Sequence, residues 1–317
     1  MMHRRVMVTG ANGFVGKAFC TDGSSRGMSV RGVTRRPVNL SAGVENSVVE
    51  SFKSDTPWQA ALTGCEFVVH LAARVHVMND SAADPLAEFR RVNVQGTLNL
   101  ARQAAAAGVR RFVFISSVKV NGESTLPGVP FTPEDVPAPQ DAYGISKMEA
   151  EQGLLELASR SGMEVVIIRP PLVYGPGVKA NFALLIRWLQ RGVPLPLGDI
   201  HNLRSLVALD NLVDFICTCI THPAAANQIF LVSDGEDVST PDLLRRLGSA
   251  MGRPARLVAV PPSLLTLGLT LVGKRSVAQR LSESLQVDTS KARTMLGWSA
   301  PQTLDQGLRS AVLERPR

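Results

Sequence analysis

A glycine-rich turn close to the N-terminus constrains the fold more than any other feature of this sequence. Gly10, Gly13 and Gly16 come directly after the apolar run 6–9, at the start of a helical pattern of apolar residues. The first glycine permits a tight turn, the second lets backbone amides approach a phosphate, and the third lets the helix pack closely on the strand. The N-terminus of a helix also attracts negative charge. The spacing therefore predicts a strand–turn–helix unit that binds the pyrophosphate of a dinucleotide.

Short apolar runs alternate with helical patterns through the first half of the chain. We predict strands at residues 6–9, 30–34, 67–72, 111–116 and 165–169, with a weaker one at 47–50. Between them, helical spacing is shown by Phe89, Val92, Gly96 and Leu100. Strands that are apolar throughout and alternate with helices form a parallel sheet that is covered on both faces. The predicted fold class is therefore α/β, with a Rossmann-type doubly wound parallel sheet.

The alternation ends after Pro170 and Pro171, and helical patterns dominate from about residue 242. We interpret residues 1–172 as a dinucleotide-binding domain. Residues 173–317 are interpreted as a smaller, mostly helical lobe that binds the substrate. Segments near 207–232, which include a strand-like run at 228–232, are expected to fold back on the first domain.

The composition is that of a folded protein with an anionic ligand. Hydrophobic residues make up 45% of the 317 residues, charged residues 19%, and the formal net charge is +7. This charge favours an anionic ligand and also allows nonspecific contact with nucleic acid. The sequence has no helix-turn-helix, zinc-finger or RNA-binding motif, so nucleic acid is not an expected partner. The four cysteines lack metal-site spacing and are interpreted as reduced thiols of a cytoplasmic protein without a bound metal.

The longest apolar run, residues 264–273, is about half as long as a membrane-spanning helix. We interpret it as a buried helix, without stable insertion into a membrane. A surface helix in peripheral contact with a membrane is the alternative, because Lys274 and Arg275 follow directly.

The residues after the second predicted strand indicate whether the dinucleotide is NAD or NADP. An acid at this place would bind the ribose hydroxyls of NAD, but the chain has Thr34, Arg35 and Arg36. Guanidinium groups pair well with phosphate oxygens, so Arg35 and Arg36 favour NADP(H), with NAD(H) as the alternative. A basic turn that faces solvent would have the same sequence.

A phenol and an ammonium lie on one face of a later predicted helix. Tyr143 and Lys147 are four residues apart. A nearby ammonium and a bound cofactor favour the phenolate, so this tyrosine could exchange a proton near neutral pH. Ser116 and Ser117 follow the fourth strand, where a hydroxyl can bind a reacting oxygen. Together with the glycine turn, these residues predict an oxidoreductase.

Over nearly its whole length the chain resembles the extended short-chain dehydrogenase/reductases of the nucleotide-sugar epimerase/dehydratase group. The shared motifs are TGANGFVG at 9–16, VVHLAA at 68–73, Asn93 with GT at 96–97, FISSVKVNG at 114–122, YGISK at 143–147, RPPLVYGPG at 169–177 and LGW at 296–298. The resemblance implies that Ser117 positions the sugar carbonyl, that Tyr143 is the acid/base and that Lys147 binds the ribose.

The resemblance and the glycine turn together imply two binding sets. The cofactor-binding residues would be Gly10, Asn12, Gly13, Phe14, Val15, Gly16, Thr34, Arg35, Arg36, Leu71, Ala72, Ala73, Tyr143, Lys147, Pro170 and Val173. The substrate-binding residues would be Ser117, Lys119, Asn181, Leu197 and Arg204. Asn181 and Arg204 fall where the family holds the nucleotide diphosphate.

Two departures from the family pattern bear on the expected reaction and on the cofactor. The family's dehydratases have Asp-Glu directly after the catalytic hydroxyl, whereas this chain has Val118 and Lys119, so dehydration is not expected. Thr34 replaces the acid of the family's NAD binders, which argues against a permanently bound NAD.

We therefore expect an NAD(P)-dependent oxidoreductase acting at C4 of a UDP-linked sugar. The favoured reaction is reduction of a UDP-4-keto-6-deoxy-N-acetylhexosamine in surface polysaccharide (O-antigen) biosynthesis. The first alternative is a 4-epimerase of UDP-hexoses or UDP-N-acetylhexosamines with tightly bound NAD. A non-catalytic dinucleotide-binding protein is a distant alternative, disfavoured by the intact set of Ser117, Tyr143 and Lys147. A homodimer is compatible with each of these.

Overall fold

A seven-stranded parallel sheet lies at the centre of the structure, a computed structural model that describes residues 5–75, 84–178, 180–271 and 281–313. Its strands are β1 (Arg5–Thr9), β2 (Ser29–Thr34), β3 (Glu45–Val48), β4 (Phe67–His70), β5 (Arg111–Ile115), β6 (Glu164–Arg169) and β9 (Gln228–Leu231). Their spatial order is β3-β2-β1-β4-β5-β6-β9. The order runs outward from β1 in both directions, so the chain switches direction between β1 and β4. The predicted doubly wound parallel sheet is confirmed.

Helices cover both faces of this sheet because successive strand residues point to opposite sides. Val6 and Val8 pack on one face with α1 (Phe14–Ser25), α7 (Leu209–Thr221) and α10 (Ser290–Leu296). Met7 packs on the other face with α4 (Thr97–Ala106) and α5 (Ala142–Ser161). Shorter helical segments are α2 (Gln59–Leu62), α3 (Pro85–Phe89) and a π-helical segment (Arg90–Gly96).

A buried arginine fixes α7 to the sheet. The Arg111 side chain is fully buried, and its guanidinium donates to the carbonyl oxygens of Cys219, Ile220 and His222 at 2.7, 3.1 and 2.8 Å. It also pairs with Glu164 at 2.7 Å. The last carbonyls of a helix lack partners within the helix, and a cation is favourable there. Since α7 is anchored in this way and β9 pairs with β6, the chain after residue 172 contributes to the central sheet unit.

A second, smaller sheet lies in the rest of the chain. Its strands are β7 (Leu172–Tyr174), β8 (Arg204–Ala208) and β10 (Asp237–Val238), in the order β10-β8-β7. It packs with α6 (Ala180–Gln190), α8 (Thr240–Ala250), α9 (Pro262–Leu271) and α11 (Leu304–Leu313) around a separate apolar core. The lobe is mostly helical, as expected, but its small sheet was not predicted. Two of its strands, β7 and β10, have only three and two residues, which is too short for a readable pattern.

The apolar run 264–273 forms most of α9 and is only partly buried. Leu265 packs against the core of the lobe, whereas Leu264 and Leu267 are 58% and 57% exposed. The interpretation as a buried helix is therefore wrong for these two leucines. Residues 272 and 273 lie outside the described part of the chain. Within that part, no helix combines the length and apolar character needed to cross a bilayer.

Candidate active site

The turn after β1 is so closely packed that no side chain fits at Gly10 or Gly16. Gly10 has a φ of +68°, and a Cβ on it would lie 2.9 Å from the Ala72 nitrogen. A Cβ on Gly16 would lie 2.0 Å from the Gly10 oxygen, to which the Gly13 N–H donates at 2.8 Å. Gly13 is the N-cap of α1 and offers no side-chain cap, so the first N–H groups of the helix lack a partner from that residue. This backbone cradle fits the pyrophosphate of a dinucleotide.

A surface groove of about 640 Å³ runs along α1, from the glycine turn at its start to Ser25 at its end. Asn12, Gly13 and Phe14 line it from the glycine turn, and Lys17 from α1. Pro176 and Gly177 line it from the loop after β7. Asn12 and Gly13 are exposed, while Phe14 and Val15 are half-buried. The glycine turn is therefore open to a ligand where the sheet meets the lobe, which is the usual ligand position in doubly wound folds.

The loop after β4 lies against the same turn. Leu71, Ala72 and Ala73 are half-buried, and the Ala72 N–H donates to the Thr9 hydroxyl at 3.2 Å. The two ring nitrogens of His70 lie 2.7 Å from the Thr9 hydroxyl and 2.9 Å from that of Thr97. Burial lowers the pKa of His70 to about 3, and the Lys147 ammonium contributes in the same direction.

Sequence analysis assigned residues 71–73 but missed this chain of Thr9, His70 and Thr97, which holds the loop in place. Its signal in the sequence is weak: polar residues at the ends of apolar strands. Thr97 is far from the other two along the chain, so their contact depends on the fold.

The turn after β2 contains the three residues that were used to choose between NAD and NADP. Thr34 is buried, and its hydroxyl donates to the carbonyl oxygen of Arg36 at 2.7 Å. Thr34 therefore stabilises the turn itself. The Arg35 and Arg36 side chains are exposed.

The Ser117 hydroxyl lies close enough to the Tyr143 phenol to affect its ionisation. Ser117 comes two residues after the end of β5, and Tyr143 lies in the first turn of α5. Asp141 is the N-cap of this helix and accepts a hydrogen bond from the Gly144 N–H at 2.7 Å. Burial raises the pKa of Tyr143, the Asp141 carboxylate raises it further, and the Ser117 hydroxyl acts in the opposite direction.

Lys147 lies one turn further along α5 and is 2% exposed. Its ammonium donates to the Ile115 carbonyl oxygen at 2.7 Å, 4.3 Å from the centre of the Phe114 ring and 6.0 Å from that of the Tyr143 ring. Burial lowers the pKa of Lys147 to about 7, and the Glu151 carboxylate opposes this shift. An ammonium beside a phenol stabilises the phenolate. Ser117, Tyr143 and Lys147 therefore lie together at the C-terminal end of β5.

Lys119 lies between two carboxylates. Its ammonium is 2.7 Å from Glu123 and 2.5 Å from Asp141. The resemblance assigned Lys119 to substrate binding, and in this structure its charge is engaged within the protein.

Two polar contacts that sequence analysis missed hold α5 in place, one against β6 and the other against the π-helical segment. Arg169 and Glu151 form an ion pair at 2.6 Å with side chains 3% and 4% exposed. The Asn93 amide donates to the Ser146 hydroxyl at 3.0 Å. Removing one partner of a buried ion pair leaves an uncompensated charge, so such contacts define where the helix lies.

Of the two residues expected near the nicotinamide, Pro170 contacts the turn that follows Ser117. Pro170 is buried, and its carbonyl oxygen accepts a hydrogen bond from the Val118 N–H at 3.0 Å. Val173 is half-buried in β7.

The substrate-binding residues assigned in the lobe have mixed environments. Arg204 is half-buried at the start of β8 and donates to the Glu283 carbonyl oxygen at 3.0 Å. The Leu197 side chain is 3% exposed and packs in the core of the lobe, so only its backbone is available to a ligand. The side chain of Asn181 lies outside the described part of the structure.

Comparison with known proteins identifies the family. The model of the "NAD dependent epimerase/dehydratase family" matches residues 6–233. A UDP-glucose 4-epimerase of Vibrio cholerae is 49% identical over 313 residues, which cover 98% of this chain and 95% of that protein. A UDP-glucose 4-epimerase of Mycolicibacterium smegmatis is 32% identical over 326 residues, 97% of each chain. The solved structure of MoeE5 in complex with UDP-glucose and NAD has a TM-score of 0.76 and 26% identity, and covers 97% of each chain.

These likenesses agree with the family to which the motifs point. The chain therefore belongs to the NAD dependent epimerase/dehydratase family, as an enzyme of the nucleotide-sugar group of extended short-chain dehydrogenase/reductases.

Proposed function

We propose that this protein is a UDP-sugar 4-epimerase that retains NAD throughout its catalytic cycle. The observation that carries the proposal is the placement of Ser117, Tyr143 and Lys147 together, in a chain 49% identical to a UDP-glucose 4-epimerase over almost its full length. The epimerase was the alternative in the sequence analysis. The relatives favour it over the 4-reductase, and MoeE5 binds both UDP-glucose and NAD.

The chain's own residues would hold the dinucleotide along the C-terminal edge of the sheet. The backbone of the glycine turn would bind the pyrophosphate, and Leu71, Ala72 and Ala73 would line the cofactor on one side. Lys147 would bind the ribose hydroxyls, and Pro170 with Val173 would lie near the nicotinamide. NAD, when bound, supplies reversible oxidation at C4, so that epimerisation involves no net redox change.

Tyr143 exchanges the proton in this mechanism. The phenolate accepts the proton of the C4 hydroxyl while the C4–H bond is oxidised, which leaves a ketone at C4. After the sugar presents its opposite face, the C4–H bond is restored and the same phenol returns the proton to the oxygen. The Ser117 hydroxyl, which lies beside the Tyr143 phenol, would hydrogen-bond the C4 oxygen and hold it there. The Lys147 ammonium stabilises the phenolate.

The lobe would bind the UDP part of the substrate. Arg204 would pair with the diphosphate, since guanidinium groups bind phosphate oxygens well. Asn181 and the backbone at Leu197 would complete the nucleotide site. We propose UDP-hexoses and UDP-N-acetylhexosamines as the substrate class.

The test identifies the resident nucleotide and the reaction together. The purified protein is denatured, and the released nucleotide is identified by mass spectrometry. The intact protein is incubated with UDP-glucose or UDP-N-acetylglucosamine without added cofactor, and C4 inversion is followed by NMR. We expect one NAD per chain and an equilibrium mixture of C4 epimers. A protein that arrives without nucleotide and consumes NADPH only with a 4-keto sugar would be a reductase.

A further inference from the structure

Lys119 connects the two segments that contain Ser117 and Tyr143. It belongs to the short 3₁₀ turn Val118–Val120, and its own N–H donates to the Ser117 hydroxyl at 3.3 Å. Its ammonium lies 2.5 Å from one oxygen of Asp141. The other Asp141 oxygen accepts the Gly144 N–H at 2.7 Å, at the first turn of α5. One side chain therefore spans the turn after β5 and the start of α5.

The backbone makes a second contact at the same place. A Cβ on Gly144 would lie 2.9 Å from the Lys119 carbonyl oxygen, so the start of α5 lies directly against the turn. Tyr143 is the residue before Gly144 and lies between the two contacts. The side chains of Lys119, Glu123 and Asp141 are 19%, 27% and 32% exposed, so solvent screens this cluster only in part.

We infer that Lys119 is a positioning residue: its ion pair with Asp141 sets the start of α5 relative to Ser117 and neutralises the carboxylate next to Tyr143. The inference rests on the proposed function for the role of Tyr143 as the acid/base. In this role Lys119 acts on Tyr143 through Asp141. The family resemblance implies instead that Lys119 contacts the substrate directly.

Charged groups approach Tyr143 from several elements. Lys147 lies on its own helix and Asp141 at the N-cap. Lys119 and Glu123 come from the segment after β5. From the loop after β4, the Arg74 guanidinium lies 5.4 Å from the centre of the Phe89 ring, which is itself 6.1 Å from the Tyr143 ring.

Loss of Lys119 would expose Tyr143 to uncompensated negative charge. Asp141 already raises the pKa of Tyr143, and without the ammonium both Asp141 and Glu123 would act against the phenolate. For charges that are partly screened by solvent, we expect the apparent pKa of Tyr143 to rise by roughly 0.5–1 pH unit.

The ionisation of Tyr143 can be measured directly because the sequence contains only two tyrosines. The other one, Tyr174, is buried and donates to Asp234 at 2.7 Å. Burial and the Asp234 charge raise the pKa of Tyr174 far above its usual range. Lys147 and a bound cofactor favour the Tyr143 phenolate, whereas no cation does so for Tyr174 among the contacts that the structure describes. The tyrosinate absorbance that appears first as the pH of the NAD-bound protein is raised therefore reports Tyr143, and it requires no substrate.

Four variants at Lys119 and Asp141, with one control, test how the charges of these two residues affect the ionisation of Tyr143. In Lys119→Met the tyrosinate absorbance, and the rise of kcat with pH, should move to higher pH by roughly 0.5–1 unit, with little change in KM for the UDP-sugar. Lys119→Arg should restore the parent profile. Asp141→Asn, which keeps a good N-cap residue, should move the profile to lower pH, and the double variant Lys119→Met/Asp141→Asn should return close to the parent. Lys291→Met, which removes a lysine paired with Glu134 at 3.0 Å, is the matched control.

The outcomes distinguish this inference from the proposed function. An unchanged tyrosinate titration in Lys119→Met would overturn the inference, as would a raised KM with an unchanged pH profile, which is the result for a substrate ligand. A shifted titration in a protein that fails to epimerise any UDP-sugar would support the positioning role and contradict the proposed function alone.

Discussion

The Lys147 ammonium donates a hydrogen bond to the carbonyl oxygen of Ile115 at 2.7 Å, which joins α5 to the last residue of β5. Ile115 comes two residues before Ser117, so this contact also sets the distance between Lys147 and the Ser117 hydroxyl. β5 lies between β4 and β6 in the sheet. The distance between Lys147 and Ser117 therefore depends on a strand in the interior of the sheet.

Replacing Tyr143 with phenylalanine tests the proposed proton exchange. Tyr143→Phe keeps the ring and its contact with Phe89 but removes the hydroxyl. We expect the rate of C4 inversion to fall roughly 10²-fold or more, because the Tyr143 hydroxyl is the group that exchanges the proton in the proposed mechanism. The NAD content and the thermal unfolding temperature should match those of the parent. A folded Tyr143→Phe protein that epimerises at the parent rate would remove Tyr143 from the mechanism.

The double variant Arg35→Ala/Arg36→Ala tests which dinucleotide is retained. NAD has no 2′-phosphate for these guanidinium groups to pair with, and both side chains are exposed. We therefore expect the NAD content to be unchanged and the epimerase rate to stay within roughly threefold of the parent, as for other exposed charges. Mass spectrometry of the released nucleotide and an initial-rate assay are the measurements. If the parent releases NADP and the variant loses it, these arginines select the cofactor and the NADP(H) expectation from the sequence is correct.

Arg204→Ala tests the diphosphate site. We expect the affinity for UDP to fall by about 1.5–3 kcal/mol, the range for a hydrogen bond to a charged group, while NAD content stays constant. Calorimetric titration with UDP measures this directly. Arg245→Ala, at an exposed arginine on α8, is the control. Because Arg204 also donates to the Glu283 carbonyl, an unchanged UDP affinity together with lower stability would give it a purely structural role.

The buried His70 predicts a specific acid sensitivity. Its pKa is about 3 in the folded protein, well below the ordinary value of 6.5, because burial disfavours the charged ring. Between these pH values the unfolded chain binds a proton that the folded protein does not. The free energy of unfolding should therefore fall as pH falls from 6.5 towards 3, by up to about 1.4 kcal/mol per pH unit from this residue.

Urea unfolding at a series of pH values measures this dependence. In His70→Gln the slope between pH 6.5 and 4 should be shallower than in the parent, since the titrating ring is gone. His201→Gln, the same change at an exposed histidine, is the control. Equal slopes in the parent and in His70→Gln would mean that His70 is protonated in the folded protein.

Several features of the fold and site follow from short stretches of sequence. The tight turn at Gly10 requires a positive φ, which glycine adopts without strain, so its place after an apolar strand predicts both the turn and the phosphate cradle. Tyr143 and Lys147 share a helix face because residues four apart always do. The parallel sheet follows from strands such as β5 that are apolar on both sides. Each of these rules acts between neighbours along the chain.

The sequence by itself therefore determined the doubly wound sheet, the glycine turn and the spacing of Tyr143 and Lys147. Only the tertiary structure decided which distant groups meet: Lys119 with Asp141, Arg111 with the end of α7, and His70 with Thr97. It also decided that Leu264 faces solvent, although its sequence context suits a buried helix. The physical reason is that backbone conformation depends on local sterics and hydrogen bonding, whereas a polar side chain takes its partner from whatever the packed sheet and helices bring within about 3 Å of it.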